Sequence, residues 1–201
     1  IHKQGYEIYC AEYSHLGLPA CRILVPGMSD IYPVDELLWE NNNEGAIFRK
    51  SLLNLKKGCA NEWQTLLDAL EEGSYNDQML VAQFIGLLPD MGSRWAKLRL
   101  GEVKAMLCLA LQKEAALDWV DWCLALEELT EEELKHYRCV KALLEIKWHN
   151  DRDYTNYMDG LTLLYSQETA EKAMAVVQGK SQFEGLSDPS LELKGMQQHK
   201  L

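Results

Sequence analysis

Along the first quarter of the chain the spacing of apolar positions changes once, and the change divides two kinds of local structure. Tyr6, Ile8 and Cys10 alternate with Glu7, Tyr9 and Ala11, and Ser14-His15-Leu16-Gly17 supplies the turn that ends the run, so a strand is expected over 6–13. Cys21, Ile23 and Val25 alternate with Arg22 and Leu24 until Pro26-Gly27, which predicts a second strand over 21–25, antiparallel to the first if the two pair directly. Beyond Pro-Gly the period becomes helical: Pro33 suits a first turn, Asp35 and Glu36 suit the N-terminal dipole, and Val34, Leu37 and Leu38 share a face. A helix to about Glu40, the Asn41-Asn42-Asn43 stretch and a helical segment carrying Ile47, Leu52 and Leu53 come next. Helices are then expected over 60–72, 77–88, 96–112, 114–128, 131–149 and 153–165, with a shorter one near 167–178.

Two of these carry more information than the rest. Thr130 with Glu133 three residues on is a capping box, and Leu134, Tyr137, Val140, Leu144 and Trp148 continue it as one apolar stripe. The segment 114–128 is apolar nearly all round, with Asp118 and Asp121 interrupting, so it should be covered on more than one side. Leu100 and Leu134 lie 34 residues apart, the tetratricopeptide period, and Ala116, Val120 and Cys123 have the small apolar character of a repeat's second helix. The expectation is a mainly α fold, a degenerate tetratricopeptide-like helical module preceded by a short two-stranded β segment; a non-repetitive bundle is the alternative. The polar tail from Lys180 should be irregular, pinned where Phe183 and Leu186 pack.

Composition narrows the function. With 201 residues and 47% apolar content the chain can bury a substantial core. Its 20 Lys and Arg against 31 Asp and Glu give a net charge of −11, the wrong sign for phosphate contacts, so direct nucleic-acid binding is not expected. The acidity is uneven: six basic face seven acidic side chains in 1–58, and fourteen face twenty-four in 59–201. The six cysteines never form C-x-x-C, which suggests reduced, mostly buried thiols in a cytoplasmic protein. No apolar run approaches a bilayer span, so no membrane association is expected.

Catalytic and metal motifs are missing. There is no G-x-S-x-G elbow or local catalytic-cysteine signature, and "LLPDMGSRW" lacks the glycine spacing and following Lys-Ser/Thr of a phosphate cradle. Asp151-x-Asp153 begins like a calcium loop but has Asn156 at the turn glycine and Thr162 at the bidentate acid. His2, Cys10, His15 and Cys21 fit no close-spaced zinc pair, and His136 and His149 read as solvated or capping residues. Asp118 and Asp121 share a helix face that is more simply an exposed stripe. No catalytic, cofactor or metal residue is therefore assigned; the aromatic residues Trp119, Trp122, Tyr137 and Trp148 are the candidate interaction surface, and Trp95 is a further aromatic at helical spacing.

The stretch "GYEIYCAEYSHLGLPACRILVPGMSDIYPVDELLWENNNEGAIFRKSLLNL", Gly5 to Leu55, resembles the end of a YcaO-family ATP-dependent domain together with the start of the segment beyond it. "LRLGEVKAMLCLAL" (Leu98 to Leu111), "ALDWVDW" (Ala116 to Trp122), "HYRCVKALL" (His136 to Leu144) and "FEGL" (Phe183 to Leu186) resemble, in order, the C-terminal half of bacterial YcaO-family proteins. The resemblance implies a family that activates a backbone amide with ATP and magnesium, through motifs upstream of the matching part, so ATP and magnesium belong to a preceding N-terminal region and no cofactor to this chain. The start without Met fits a C-terminal fragment. The ending "MQQHKL" departs from the proline-rich tail of azoline-forming relatives and favours the branch that assists β-methylthiolation of a small-subunit ribosomal protein by the radical methylthiotransferase RimO.

The resulting expectation is a division into 1–28, terminal strands of the ATP-binding domain; 29–58, a helical linker region; 59–180, the tetratricopeptide-like domain; and 181–201, the tail. The chain itself would be a non-catalytic oligomerisation or partner-docking module, forming a homodimer or meeting RimO or the ribosomal protein substrate. The competing reading is a complete small enzyme whose site gathers Asp118 and Asp121, or Cys10, His15 and Cys21.

Overall fold

The computed structural model describes residues 2–13, 20–25, 28, 43–86, 89, 92–148 and 155–186. The chain divides into two compact units, residues 1–44 and 45–201. The boundary falls within the segment expected as a linker, and the helix expected from Pro33 lies outside the described residues.

In the first unit, strands β1 (Tyr9–Tyr13) and β2 (Ala20–Leu24) pair antiparallel, with Cys10 opposite Ile23 and Glu12 opposite Cys21. β1 is shorter than the alternation over 6–13 suggests, and β2 keeps the expected length but begins one residue earlier than 21–25. Every residue of β2 is exposed, Ile23 by 57%, and among the described residues each strand is paired along one edge only. A two-stranded ribbon with apolar side chains in water is marginal alone.

The second unit is helical: α1 (Arg49–Leu53), α2 (Ala60–Glu72), α3 (Val81–Phe84), α4 (Leu100–Ala110), α5 (Ala116–Leu124), α6 (Glu131–Trp148), α7 (Thr155–Tyr165) and α8 (Gln167–Val177). Most begin and end close to where the sequence places them, because caps mark their ends. Thr130 N donates to Glu133 Oε2 at 2.8 Å and Glu133 N donates to Thr130 Oγ1 at 3.2 Å, the expected capping box.

The segment 77–88 is the main departure: among its described residues only Val81–Phe84 is α-helical. Asn76 Oδ1 accepts the Gln78 amide at 3.0 Å, and Leu80 forms an antiparallel bridge with Arg99, Val81 N donating to Leu98 O and Leu100 N to Met79 O. These bonds hold Leu80 and Arg99 extended, so the backbone groups that would start a helix at 77, and continue one through 96–99, are spent on each other. The 96–112 helix accordingly begins at Leu100, after a 3-10 turn at Arg94–Ala96.

The enclosed helix is α4. Nine of its residues are buried, Leu100 to Leu109 except Glu102, and it packs on α2, α5 and α8. Helix α5 packs on α4 and α6, as its apolar circumference suggests, with Ala116, Val120 and Cys123 inward. The core runs from Leu52, Leu67 and Phe84 through Leu107 to Leu143 and Leu144, each such side chain contributing about 1.5–3 kcal/mol on burial. Phe183 and Leu186 are buried in this core, with Trp63 against Phe183 at 5.3 Å between centroids, so the "FEGL" segment is a packed part of the unit.

Candidate functional site

The helical unit holds a cleft of about 870 Å³, bounded by the Gly92–Leu98 turn, α4, the start of α6, the α7–α8 junction and residues 181–185. Its lining mixes charges: Arg94, Lys97 and Lys172 stand with Glu102, Glu133 and Glu168.

The carboxylates are mostly engaged from within. Glu102 reaches back from the first turn of α4 to accept the Arg99 amide at 2.9 Å, and its other oxygen accepts the Tyr137 hydroxyl at 3.2 Å. Burial raises the Glu102 pKa despite these bonds, and raises that of Tyr137 well above the usual phenol value. Glu133 is held by Thr130, and Glu168 pairs with Lys172 at 2.6 Å.

Arg94 is the central cation. Its Nη1 donates to the Glu184 carbonyl at 2.9 Å, tying the segment that contains "FEGL" across the cleft. His136, expected to be solvated, is instead half-buried beside Tyr137, and its pKa is pushed down by burial, then by Arg94 and Lys172. Gln182 is 8% exposed, and its Oε1, like Ser93 Oγ, is enclosed without a hydrogen-bond partner among the described residues. Arg94, Ser93 and Gln182 carry no sequence signal: they come from segments about 90 positions apart and meet only through packing.

Of the candidate aromatic residues, Tyr137 alone lines the cleft. Trp119 and Trp122 lie edge to face at 6.2 Å, the first under the Lys104 ammonium at 4.9 Å and the second against Gly101. Trp148 is eleven residues beyond Tyr137 on α6, about 16 Å along the axis, under Lys147. Trp95 is a core residue.

The described residues of the enzyme reading lie on α5 and on the hairpin. Asp118 is exposed, and Asp121 pairs with Lys141 at 2.6 Å. Cys10 and Cys21 share a face of the hairpin, while His15 and His149 lie outside the described residues. Cys108, Cys123 and Cys139 are buried, and burial pushes their thiols up to about 11, 12 and 11, away from the thiolate a nucleophile needs. Among the described residues no His, Cys, Asp or Glu cluster suits a metal ion, and no helix is long and apolar enough to cross a membrane.

Residues 45–201 match the family described as the YcaO cyclodehydratase C-terminal domain. The chain is 35% identical, over 98% of its length, to the ribosomal protein S12 methylthiotransferase accessory factor YcaO of Escherichia coli, and 38% identical, over 96%, to an uncharacterized protein of Haemophilus influenzae. It covers 35% and 34% of those proteins, so it spans about a third of the length of the curated relatives it matches. With that family match over the helical unit and these identities over nearly all of it, the chain belongs to the YcaO family and contains its C-terminal domain.

Proposed function

We propose that this chain is the non-catalytic docking and self-association part of a YcaO-type protein that assists β-methylthiolation of a small-subunit ribosomal protein. In this reading 59–180 is a tetratricopeptide-like helical module, β1 and β2 end the sheet of an ATP-binding domain, and ATP and magnesium are bound by a region preceding this chain. The accessory-factor description of the Escherichia coli relative supports the role.

The observation that carries the reading is the state of the reactive side chains. The three cysteines of the helical core have thiols raised by burial, and the cleft carboxylates Glu102, Glu133 and Glu168 are engaged by the protein's own groups. A broad cleft of mixed polarity in which these three carboxylates are already engaged suits recognition better than proton or group transfer. Trp119 and Trp122, half-buried on α5, supply a second aromatic contact area.

The test is sedimentation velocity of the purified 201-residue chain with purified RimO and, separately, with the ribosomal protein. A complex with either is expected. No complex with either overturns the docking reading, and ATP hydrolysis that persists through further purification overturns the non-catalytic one.

Self-association has its own observation, the adjacent Leu163 and Leu164 of α7, exposed by 88% and 74%. Light scattering of the chain and of the Leu163→Asp, Leu164→Asp variant should give a dimer and a monomer, respectively; a monomer for both excludes this interface.

A further inference from the structure

We propose that the cleft bounded by Arg94, His136 and Gln182 binds a polypeptide segment through an acidic side chain, its carboxylate on Arg94 and a main-chain N–H of the same segment on the Gln182 side-chain oxygen. The proposal rests on the docking reading above and specifies the chemistry of the partner.

Three independent features of the cleft point the same way. First, Gln182 is more than nine-tenths buried, lines the cleft, and holds Oε1 enclosed without a partner among the described residues. Such an acceptor destabilises the fold unless a donor meets it, and because Gln182 lines the cleft, a rotation of its side chain would present Oε1 to a donor held there. Ser93 Oγ, on the same wall, is a second enclosed polar atom without a partner among the described residues.

Second, the cations have capacity that the carboxylates lack. Among the described residues, Arg94 spends one N–H on the Glu184 carbonyl and forms no ion pair, and the Lys97 ammonium forms neither a hydrogen bond nor an ion pair. Glu102, Glu133 and Glu168 are each committed to a partner already named. Glu132 and Glu184 are exposed, and both act on Lys172 rather than on His136.

Third, the charges that act at His136 are cationic, although the lining as a whole carries both signs. Both charged groups that act on His136, Arg94 and Lys172, disfavour its protonation. The N-terminal turns of α6 and α8 also open onto the cleft, at Glu132 and Glu133 and at Ser166, Glu168 and Thr169, bringing the positive ends of two helix dipoles there. A guanidinium with free N–H groups beside a neutral imidazole suits a carboxylate, and the unpaired Gln182 oxygen of the same lining suits an amide N–H. A peptide acidic residue offers both from one unit.

The test is isothermal titration of the 201-residue chain with the acetylated, amidated peptide Ala-Ser-Glu-Gly-Glu-Ala, with its Glu-to-Gln version bearing a free C-terminal carboxylate, and with its Glu-to-Lys version. The acidic peptide should bind and the other two should not. Gln182→Leu, which replaces the unpaired amide with an apolar group of similar size, should weaken binding about tenfold while leaving the melting temperature unchanged or higher. Arg94→Lys, which keeps the charge but loses the fork, should weaken it comparably. Equal affinity in wild type and both variants, no binding of the acidic peptide, or binding of the Lys or free-carboxylate peptide instead overturns the proposal. RimO association retained by Gln182→Leu and Arg94→Lys removes the cleft from docking but leaves docking intact, whereas no association by the wild-type chain removes docking itself.

Discussion

The Tyr137 hydroxyl donates to Glu102 Oε1 at 3.2 Å and so joins the first turn of α4 to the second turn of α6 across the floor of the cleft. The same carboxylate closes the N-terminus of α4 through the Arg99 amide at 2.9 Å, so one half-buried acid serves as a cap and as an interhelical contact. Removing the hydroxyl by Tyr137→Phe leaves a partly buried carboxylate oxygen short of a donor and should cost about 1–2 kcal/mol in urea denaturation. An unchanged midpoint would mean that water replaces the phenol.

Glu102 also gives a pH signature. Its pKa in the folded chain is raised above the ordinary 4.5, chiefly by burial, so the folded state holds this proton more tightly than the unfolded state. Its contribution to stability is then fully present below pH 4.5 and lost as pH rises through the folded pKa. Glu102→Gln keeps an oxygen acceptor and cannot ionise. The stability difference between variant and wild type should therefore shift in favour of the variant as pH increases from 4 to 7; a difference constant over that range would show that the acid titrates normally.

Gly101 and Trp122 define how closely α4 and α5 approach. A methyl group on Gly101 would fall within the van der Waals envelope of the Trp122 ring. Ala is the better helix former by about 1 kcal/mol, yet Gly101→Ala should destabilise the chain by about 1–2 kcal/mol because the ring must move. Combined with Trp122→Leu, the same change should become neutral or stabilising. Additive effects in this double-mutant cycle would show that the ring is not what the methyl meets.

The sequence reveals the elements whose ends are marked by their own side chains and hides those decided at a distance. The span 60–72 and the start at Glu131 follow from local periodicity and from Glu62 and Glu133 reaching back to cap. The 77–88 helix fails because Leu80 finds Arg99, nineteen residues away, and no helical period records that pairing. Helix 114–128 attracts attention as apolar all round, yet α4 is the more enclosed, since Lys104 and Glu102 look like surface residues until their partners are seen. The cleft is illegible for the same reason. Arg94 and Gln182 are ordinary polar residues in polar stretches, and their meeting is a property of the fold.

Lys104 is the sharpest case of a polar residue inside. It is 4% exposed, its ammonium lies 2.7 Å from Asp77 Oδ1, and it faces the Trp119 ring. Removing one member of a buried pair is costlier than replacing the buried ion by an apolar group of similar length. Asp77→Ala, which strands the ammonium, should cost about 3 kcal/mol, and Lys104→Met should cost less, since the Asp77 side chain is 30% exposed and that of Lys104 only 5%. Chemical denaturation of both variants decides this; a larger loss for Lys104→Met would mean that the cation on Trp119, not the ion pair, dominates.

Ser166 joins α7 to α8 on the wall of the cleft with φ 82° and ψ 155°, a region that residues with a Cβ seldom occupy and that costs of order 1–3 kcal/mol. The side chain compensates in part, since Ser166 Oγ accepts the Thr169 amide at 3.4 Å and caps α8. The two effects separate by substitution. Ser166→Gly relieves the strain, loses a cap worth only a few tenths against Gly, and adds flexibility to the unfolded chain, for a net gain of about 0.5–1 kcal/mol. Ser166→Ala keeps the strain and loses the cap, for a loss of about 1 kcal/mol. Thermal or urea denaturation should thus rank Gly above Ser above Ala; Ser above Gly would show that the cap outweighs the strain, and that the conformation at this wall is held by the side chain itself.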